Sequence, residues 1–376
     1  MEQKVIYNGQ ILTLTRFWAT GEPCLWITDP QQIEMPKMEF VGGHPDEYCI
    51  FLKNLTETEL AQITSLDGAP LDVREELRQF LTGKDNPMAL QDKKIMPPPW
   101  MAFPEIERYS IGWRMGYGED YIYRFGDWLD TLSPEERTEY RALFPEPVTW
   151  KGWWEDEDSG EVLVHGDFLV EAWQPEGRPK YTRQWLQQEF AAGREREHCL
   201  IWGHQLSEDG QLTKSCLSQW WMEDFYTTAA PYLCMEQYMM AAKAELFGDK
   251  EIRDQILKCS DQKQIKALGR KVRGFEQKVW DKFKYAIVLL GNWHKFSQNR
   301  ELREFLLSTG DSVLVEASPY DAIWGIRLAA SSPEAQDPMK WRGQNLLGFA
   351  LMEVRDELRR VTQNEMLCDW SMVWQQ

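Results

Sequence analysis

Several signals that would place the chain in a membrane or secretory class are missing from its sequence. No run of about 18 apolar residues occurs, so a membrane-spanning helix is not expected. The opening Met1-Glu-Gln-Lys4 leads into polar sequence and lacks the apolar core of a secretory signal. The seven cysteines are odd in number and never spaced as Cys-x-x-Cys, a pattern typical of reduced thiols. These absences predict a soluble, cytoplasmic protein with no membrane partner.

Motifs for cofactors and metals are also missing. The five histidines are dispersed, and none pairs with a second ligand at metal-binding spacing, so no metal site is expected. The glycine-rich segment 112–118 lacks both the Gly-Lys-Ser/Thr ending of a phosphate loop and the spacing of a dinucleotide fingerprint. Neither internal repeats nor low-complexity tracts are visible. We therefore expect a globular protein that needs no cofactor.

The composition favours two packed domains. The chain has 376 residues, of which 43% are hydrophobic and 13% aromatic, which is enough for packed cores but long for one domain. An acidic, polar segment at 155–160 follows a region dense in aromatic residues. After about residue 232 the sequence is typical of helices. We place an aromatic-rich accessory domain of unknown role at 1–180 and a second domain at 195–362.

The pattern of residues predicts an α+β protein. Residues 4–28 resemble short strands with a turn at Asn8-Gly9, Ser133-Pro134 begins a helix, 161–173 resembles a hairpin, and 182–194 resembles a helix. The C-terminal part is mostly α-helical, whereas the aromatic-rich N-terminal region is mixed α/β. Its helices are predicted at 233–247, 250–259, 261–271, 276–292, 300–308 and 343–361, with one strand at 312–316.

Charge is distributed unevenly along the chain. The net charge is −18, which disfavours loose binding to nucleic acid. From Lys243 to Arg303, however, there are 15 Lys and Arg but only 8 Asp and Glu. This stretch therefore has a net charge of +7, and the rest of the chain has a net charge of −25. A basic stretch in an acidic chain is either the footprint of a phosphate-bearing ligand or an ordinary solvated helical surface.

The segment from Cys234 to Phe247 places an acid and an amine on one helical face. Glu236, Met240 and Lys243 are spaced i, i+4, i+7, so the two charged groups lie about two turns, or roughly 10 Å, apart. Such a pair is often only part of a solvated surface. It is also a suitable arrangement for breaking a C–N bond.

Seven motifs in order along the chain resemble the NADAR family, the YbiA-like N-glycosidases, over about residues 198–361. They are Leu217-Ser-Gln-Trp220, Met235-Glu-Gln-Tyr-Met-Met-Ala-Ala-Lys243, Ala267-Leu-Gly-Arg270, Trp280, Lys295-Phe-Ser-Gln-Asn299, Glu316-Ala-Ser-Pro-Tyr-Asp-Ala-Ile-Trp-Gly325 and Gly343-Gln-Asn-Leu-Leu-Gly348. The resemblance does not extend to residues 1–180.

The resemblance implies an N-glycosidase that hydrolyses a ribose C1′–N bond. Its expected substrate is ADP-ribosylated guanine, in nucleic acid or as a nucleotide, from which ADP-ribose is removed. A ribosylamino-pyrimidine phosphate intermediate of riboflavin synthesis is the alternative substrate. A binding module for ADP-ribose or a nucleotide, without turnover, is a further alternative. A third reading is an interaction protein whose residues 1–180 contact a protein partner.

By motif position the resemblance implies three catalytic residues, Glu236, Lys243 and Asp321. Its implied substrate-binding residues are Ser218, Gln219, Trp220, Tyr238, Arg270, Trp280, Trp324, Gly325, Arg327, Asn345 and Gly348. Two departures from the family pattern are visible: the Ser-Asn-Phe turn is Ser218-Gln219-Trp220 here, and Arg327 replaces the second glycine of Trp-Gly-Ile-Gly.

The chemistry of these residue types agrees with the implied activity. Breaking a C1′–N bond builds positive charge on the ribose, which a carboxylate stabilises. The leaving nitrogen needs a proton, which a carboxylic acid supplies. We therefore expect Glu236 as acid/base, Lys243 as nucleophile or C1′ contact, and Asp321 as ribose stabiliser. Stacking on the base or adenine is expected from Trp280 and Trp324, and phosphate binding from Arg270, Lys271 and Arg327.

Overall fold

A computed structural model describes residues 3–16, 23–27, 37–40, 48–71, 73–74, 90, 93–155, 166–203 and 211–374. Contacts divide the chain into two compact units. The first unit comprises 1–97, 128–143 and 363–376, and the second comprises 98–127 and 144–362. Within the described ranges, no helix is long and apolar enough to cross a membrane.

The described elements confirm the α+β class. The strands are β1 (Gln3–Tyr7), β2 (Gln10–Arg16), β3 (Pro23–Ile27), β4 (Glu39–Phe40), β5 (Tyr48–Phe51), β6 (Thr64–Ser65), β7 (His198–Ile201), β8 (Phe225–Tyr226), β9 (Pro231–Tyr232) and β10 (Val313–Glu316). The helices are α1 (Glu57–Leu60), α2 (Pro99–Ala102), α3 (Tyr117–Asp130), α4 (Pro134–Leu143), α5 (Gly166–Trp173), α6 (Arg183–Ala191), α7 (Met235–Leu246), α8 (Lys250–Leu257), α9 (Gln262–Gly269), α10 (Gln277–Gln298), α11 (Arg300–Ser308) and α12 (Leu346–Thr362).

The first unit contains an antiparallel sheet with strand order β4-β5-β3-β2-β1-β6. Asn8 and Gly9 join β1 to β2 with φ values of 48° and 75°, the left-handed pair that a two-residue hairpin turn needs. One face of the sheet carries the buried side chains Val5, Leu12 and Leu25. The predicted turn and strands at the start of the chain are thus present.

Local capping signals are realised at two predicted helix starts. At Ser133 the backbone N–H donates to the Glu136 carboxylate (2.7 Å) while Ser133 Oγ accepts from the Glu136 N–H (3.2 Å), a reciprocal capping box. At α6 the Thr182 hydroxyl accepts from the Trp185 N–H (3.0 Å).

The predicted hairpin at 161–173 is wrong where the structure describes it, because Gly166–Trp173 is the helix α5. Leu169 and Trp173 are spaced i, i+4, so one helical face delivers both side chains to the core of the second unit. The Trp173 ring lies 6.3 Å from that of Trp293. Tertiary burial therefore outweighs the strand preference of the valine-containing segment. Residues 156–165 lie outside the described part of the chain.

The second unit is built around α10, whose residues Tyr285–Ser297 are buried. Helices α7 and α12 pack against it, and α12 also packs against β10, which pairs in parallel with β7. Each C-terminal helix and the strand occur close to their predicted bounds. The exception is the C-terminal end of α10, which was predicted at 292 but lies at Gln298.

Segments upstream of the predicted second domain belong to the same compact unit as its helices. The Glu353 carboxylate on α12 accepts from the Lys180 N–H (2.8 Å) and the Tyr285 hydroxyl (2.8 Å). The Glu357 carboxylate accepts from the Val148 N–H (2.7 Å). That residues 1–180 and 195–362 form separate domains stays a prediction, which a truncated chain can test.

Candidate active site

A cavity of about 750 Å³ lies in the second unit, between α7, α9, the start of α10 and the loop that follows β10. This size is within the range of pockets for small organic ligands. The cavity brings together most of the residues expected to form the site. Those that line it are Ser218, Gln219, Trp220, Glu236, Lys243, Arg270, Trp280, Asp321 and Trp324.

The start of α7 is fixed to a neighbouring turn, which sets the position of Glu236. The Glu236 N–H donates to the Gln219 carbonyl (2.9 Å). The next residue, Gln237, accepts from the Leu233 N–H (2.7 Å) and donates to the Ile256 carbonyl (3.0 Å). These bonds satisfy groups at the helix start and hold it against α8.

The Glu236 side chain is 3% exposed and ends at the cavity. Its carboxyl makes no hydrogen bond to any residue in the described ranges. The pKa of Glu236 is raised to about 7: burial raises it most, Lys266 and Arg270 lower it, and Asp321 raises it. A carboxyl of this pKa gains and loses a proton near neutral pH, which suits acid/base chemistry.

Lys243 lies two turns further along the same face of α7. Its ammonium donates to the Gly269 carbonyl (2.9 Å) and lies 4.3 Å from the ring centre of Phe275 and 5.8 Å from that of Trp280. Burial lowers the pKa of the Lys243 amine. A lowered pKa brings the amine closer to the neutral form that a nucleophile requires.

Asp321 is anchored by its own loop. Its Oδ1 accepts from the N–H groups of Ile323 and Trp324, both at 2.8 Å. These two backbone donors fix the position of the carboxylate. One of them belongs to Trp324, whose indole also lines the cavity, so the two side chains are held close together. This arrangement places a preorganised negative charge at the cavity wall.

One carboxyl at the cavity was missed from the sequence. Glu316 ends strand β10 and lines the cavity, and burial together with Asp321 raises its pKa to about 8. The available signal was a single acid closing the otherwise apolar strand Val313–Glu316. Removing a carboxylate from water without a partner costs free energy, so the place of the half-buried Glu316 at the cavity indicates a role there.

Of the basic residues that line the cavity on this side, only Arg270 was expected from the sequence. Lys263 and Lys266 line it beside the expected Arg270. The Lys266 ammonium lies 5.4 Å from the ring centre of Trp220, whose carbonyl accepts from Gln262 Nε2 (2.5 Å). These cations are part of the basic stretch seen in the sequence, and they give the cavity a phosphate-binding potential.

Lys295 supports the turn that carries Ser218 and Gln219. It is fully buried, and its ammonium donates to the carbonyls of Cys216 (2.6 Å) and Ser218 (3.1 Å). Burial lowers its pKa to about 8. The Gln219 side-chain nitrogen is buried and has no hydrogen-bond partner among the residues that the structure describes, so it is a donor available to a ligand.

Five residues implied by the resemblance do not line the cavity. Tyr238 is on another face of α7, with its ring 5.0 Å from that of Tyr232. Asn345 is fully buried, donates to the Leu314 carbonyl (2.9 Å) and accepts from the Glu316 N–H (2.9 Å). Arg327 is exposed with a φ of 57°. Close packing surrounds the remaining two, Gly325 and Gly348. Their direct binding roles stay predictions, and their contacts indicate support for the site.

Replacing Gly348 with alanine is expected to destabilise the second unit. An added Cβ would lie 1.9 Å from the Leu314 carbonyl oxygen, so the backbone of β10 or α12 must shift. Overpacking of this kind costs about 1–3 kcal/mol. Urea unfolding should detect the loss. Gly126→Ala is the matched control, because an added Cβ there meets nothing within 4 Å. Equal stability of the two variants would contradict the close-packing role.

In the described part of the chain, no group of three or more His, Cys, Asp or Glu side chains is arranged to hold a metal ion.

Comparison with known proteins identifies the same region. Residues 206–359 match the NADAR domain. The chain is 50% identical over 145 residues to N-glycosidase R617 of Acanthamoeba polyphaga mimivirus, covering 37% of this chain and 85% of that protein. It is 42% identical over 129 residues to Protein irg-1 of Caenorhabditis elegans, covering 34% of this chain and 61% of that protein.

A bacterial relative is more distant. N-glycosidase YbiA of Escherichia coli (strain K12) is 32% identical over 123 residues, which is 33% of this chain and 68% of that protein. The solution structure of E. coli YbiA aligns with 26% identity and a TM-score of 0.36, covering 44% of this chain and 86% of that one.

Proposed function

The chain belongs to the NADAR family, and on that premise we propose that its second unit removes ADP-ribose from guanine in nucleic acid or nucleotides. Relatives named N-glycosidase support the coarser statement that the chain is an enzyme, a hydrolase of N-glycosyl compounds. The reaction breaks a ribose C1′–N bond and adds water across it.

The observation that carries the proposal is the convergence of Glu236, Lys243 and Asp321 on one cavity. A buried carboxyl with a pKa of about 7 exchanges protons with water and the leaving group. The fixed Asp321 carboxylate stabilises positive charge as it develops on the ribose. Lys243 contacts C1′ or attacks it. A module that only bound nucleotides would gain nothing from a buried acid whose carboxyl has no hydrogen-bond partner among the described residues.

The preference for an ADP-ribosyl substrate rests on the cations and indoles of the cavity. Lys263, Lys266 and Arg270 offer more positive charge than a single monophosphate needs. Trp280 and Trp324 provide two indoles for stacking on guanine and adenine. A ribosylamino-pyrimidine phosphate would use only part of this surface.

The proposal is tested by incubating the purified protein with a guanine-ADP-ribosylated DNA oligonucleotide and following the oligonucleotide by mass spectrometry. We expect loss of the ADP-ribose mass. A parallel incubation uses a ribosylamino-pyrimidine 5′-phosphate. Turnover of the pyrimidine substrate alone would replace the proposed substrate, and turnover of neither would remove the proposed activity.

Borohydride added during turnover separates the two roles of Lys243. Attack by the amine on C1′ gives a ring-opened imine, which borohydride reduces to a stable adduct on Lys243. An adduct located at Lys243 by peptide mass spectrometry would establish the nucleophile. Turnover without any adduct would leave water as the attacking group and Lys243 as a contact.

Two further expectations extend this proposal. A cytoplasmic location fits the reduced thiols Cys199, Cys216, Cys234 and Cys259 of the second unit. Residues 1–180, which lie outside the NADAR match at 206–359, are proposed to bind a protein partner.

A further inference from the structure

Glu316 differs from Glu236 in the charges that surround it. Lys266 and Arg270 act on Glu236 and favour its carboxylate form. Among the described residues, the charge that acts on Glu316 is the carboxylate of Asp321, which favours the protonated form. Burial raises the pKa of both acids, but the neighbouring cations offset part of this rise at Glu236 only, so Glu316 keeps its proton to a higher pH than Glu236 does.

The backbone holds Glu316 rigidly at the cavity wall. Its N–H donates to Asn345 Oδ1 (2.9 Å), and its carbonyl accepts from the Ile326 N–H (2.9 Å). Pairing of β10 with β7 places Glu316 beside Ile201. The Glu316 carboxyl itself makes no hydrogen bond to any residue that the structure describes, so its proton is available to a ligand.

We propose that Glu316 is the general acid that protonates the leaving nitrogen, while Glu236 acts as the general base. This inference rests on the proposed N-glycosidase function. As the C1′–N bond breaks, its electron pair remains on nitrogen, and the nitrogen receives the proton of the Glu316 carboxylic acid. The oxygen of water bonds to C1′, and the released proton passes to the Glu236 carboxylate. Exchange with solvent then returns both carboxyls to their starting states.

The substitution Glu316→Gln tests this role, because glutamine keeps the shape of the side chain but cannot supply an acidic proton. We expect kcat/KM on the ADP-ribosylated oligonucleotide to fall by about 10²–10⁴-fold. Binding of free ADP-ribose, measured by calorimetry, should change little. Glu316→Asp keeps the acid on a shorter chain and should recover part of the activity.

The pH profile gives a readout that a purely structural role would not produce. Wild-type kcat/KM should decline as pH rises through about 8, because Glu316 then loses the proton it must donate. Glu316→Gln should lose this decline. Other charged groups that share the cavity are Glu236, Lys243, Lys263, Lys266, Arg270 and Asp321. Among the described residues, β7 and α12, which pack against β10, contribute no charged side chain to it.

Glu353→Gln is the control for removal of a buried acid elsewhere in the same unit. Burial raises the pKa of Glu353 to about 7, and glutamine can still accept its hydrogen bonds. This variant should keep wild-type turnover. A Glu316→Gln enzyme within about threefold of wild type, or one that keeps the alkaline decline, would overturn the acid role alone. An inactive wild-type protein would overturn the proposed function, and this role with it.

Discussion

Replacing Glu236 with glutamine is expected to lower kcat on the ADP-ribosylated oligonucleotide by about 10²–10⁴-fold, the usual contribution of a positioned acid or base. The side chain is buried, reaches the cavity and makes no hydrogen bond in the described ranges that glutamine would disturb. Its loss should therefore act on the chemical step, with little effect on the free energy of unfolding. Rapid-quench turnover and thermal unfolding measure the two quantities separately.

The pH dependence provides a second test of Glu236. Its pKa of about 7 means that the carboxylate forms as pH rises through neutrality. A general base must be ionised, so wild-type kcat/KM should increase with pH up to about 7 and then level off before the alkaline decline. The glutamine variant should lack the increase. Full turnover by Glu236→Gln would remove Glu236 from the mechanism.

A chain that begins at residue 195 is expected not to fold. It would lack Leu169, Trp173 and Leu186, which are 4%, 7% and 2% exposed in the core of the second unit. Losing a buried leucine or tryptophan side chain costs about 2–5 kcal/mol, and domains are stable by only about 5–15 kcal/mol. The truncation would also remove the Lys180 N–H that donates to the buried Glu353 carboxylate.

A chain that begins at residue 98 is the matched comparison, because it keeps every residue of the second unit. We expect it to retain helical circular dichroism, cooperative thermal unfolding and turnover. If the chain from 195 unfolded cooperatively with wild-type activity, residues 144–194 would be accessory, and the predicted boundary near 195 would hold.

Local signals in the sequence were enough to predict several helices in both units. Helix α7 has strong helix formers and a glycine stop, and the Ser133 capping box is complete within four residues. Helix α5 was wrongly predicted as a hairpin, because the helix is stabilised by burial of the i, i+4 pair Leu169 and Trp173 in the core of the second unit. That burial is not visible in the local sequence. Periodicity in a short apolar segment does not separate the two structures.

Helical spacing predicted only that Glu236 and Lys243 share one face of α7. Their expected roles, and those of residues on other elements such as Asp321, came from motif positions. Glu316 begins the motif that contains Asp321 and Trp324, but its own place in the cavity appears only in the folded chain. Asn345 is a motif residue that does not line the cavity. Its side chain instead forms hydrogen bonds with the backbone of Leu314 and Glu316, which hold the strand that ends at the site.

The way the chain alternates between the two units has a consequence for its synthesis. The first unit begins the chain but also includes 363–376, where the Asp369 N–H donates to the Ile95 carbonyl (2.7 Å) and Asn364 donates to the Leu143 carbonyl (2.7 Å). Domains usually fold one after another as they emerge from the ribosome. Here neither unit is complete until residues beyond 360 have been translated. The hydrogen bonds that join Ile95 and Leu143 to the final segment therefore form last, after the rest of the first unit has been translated.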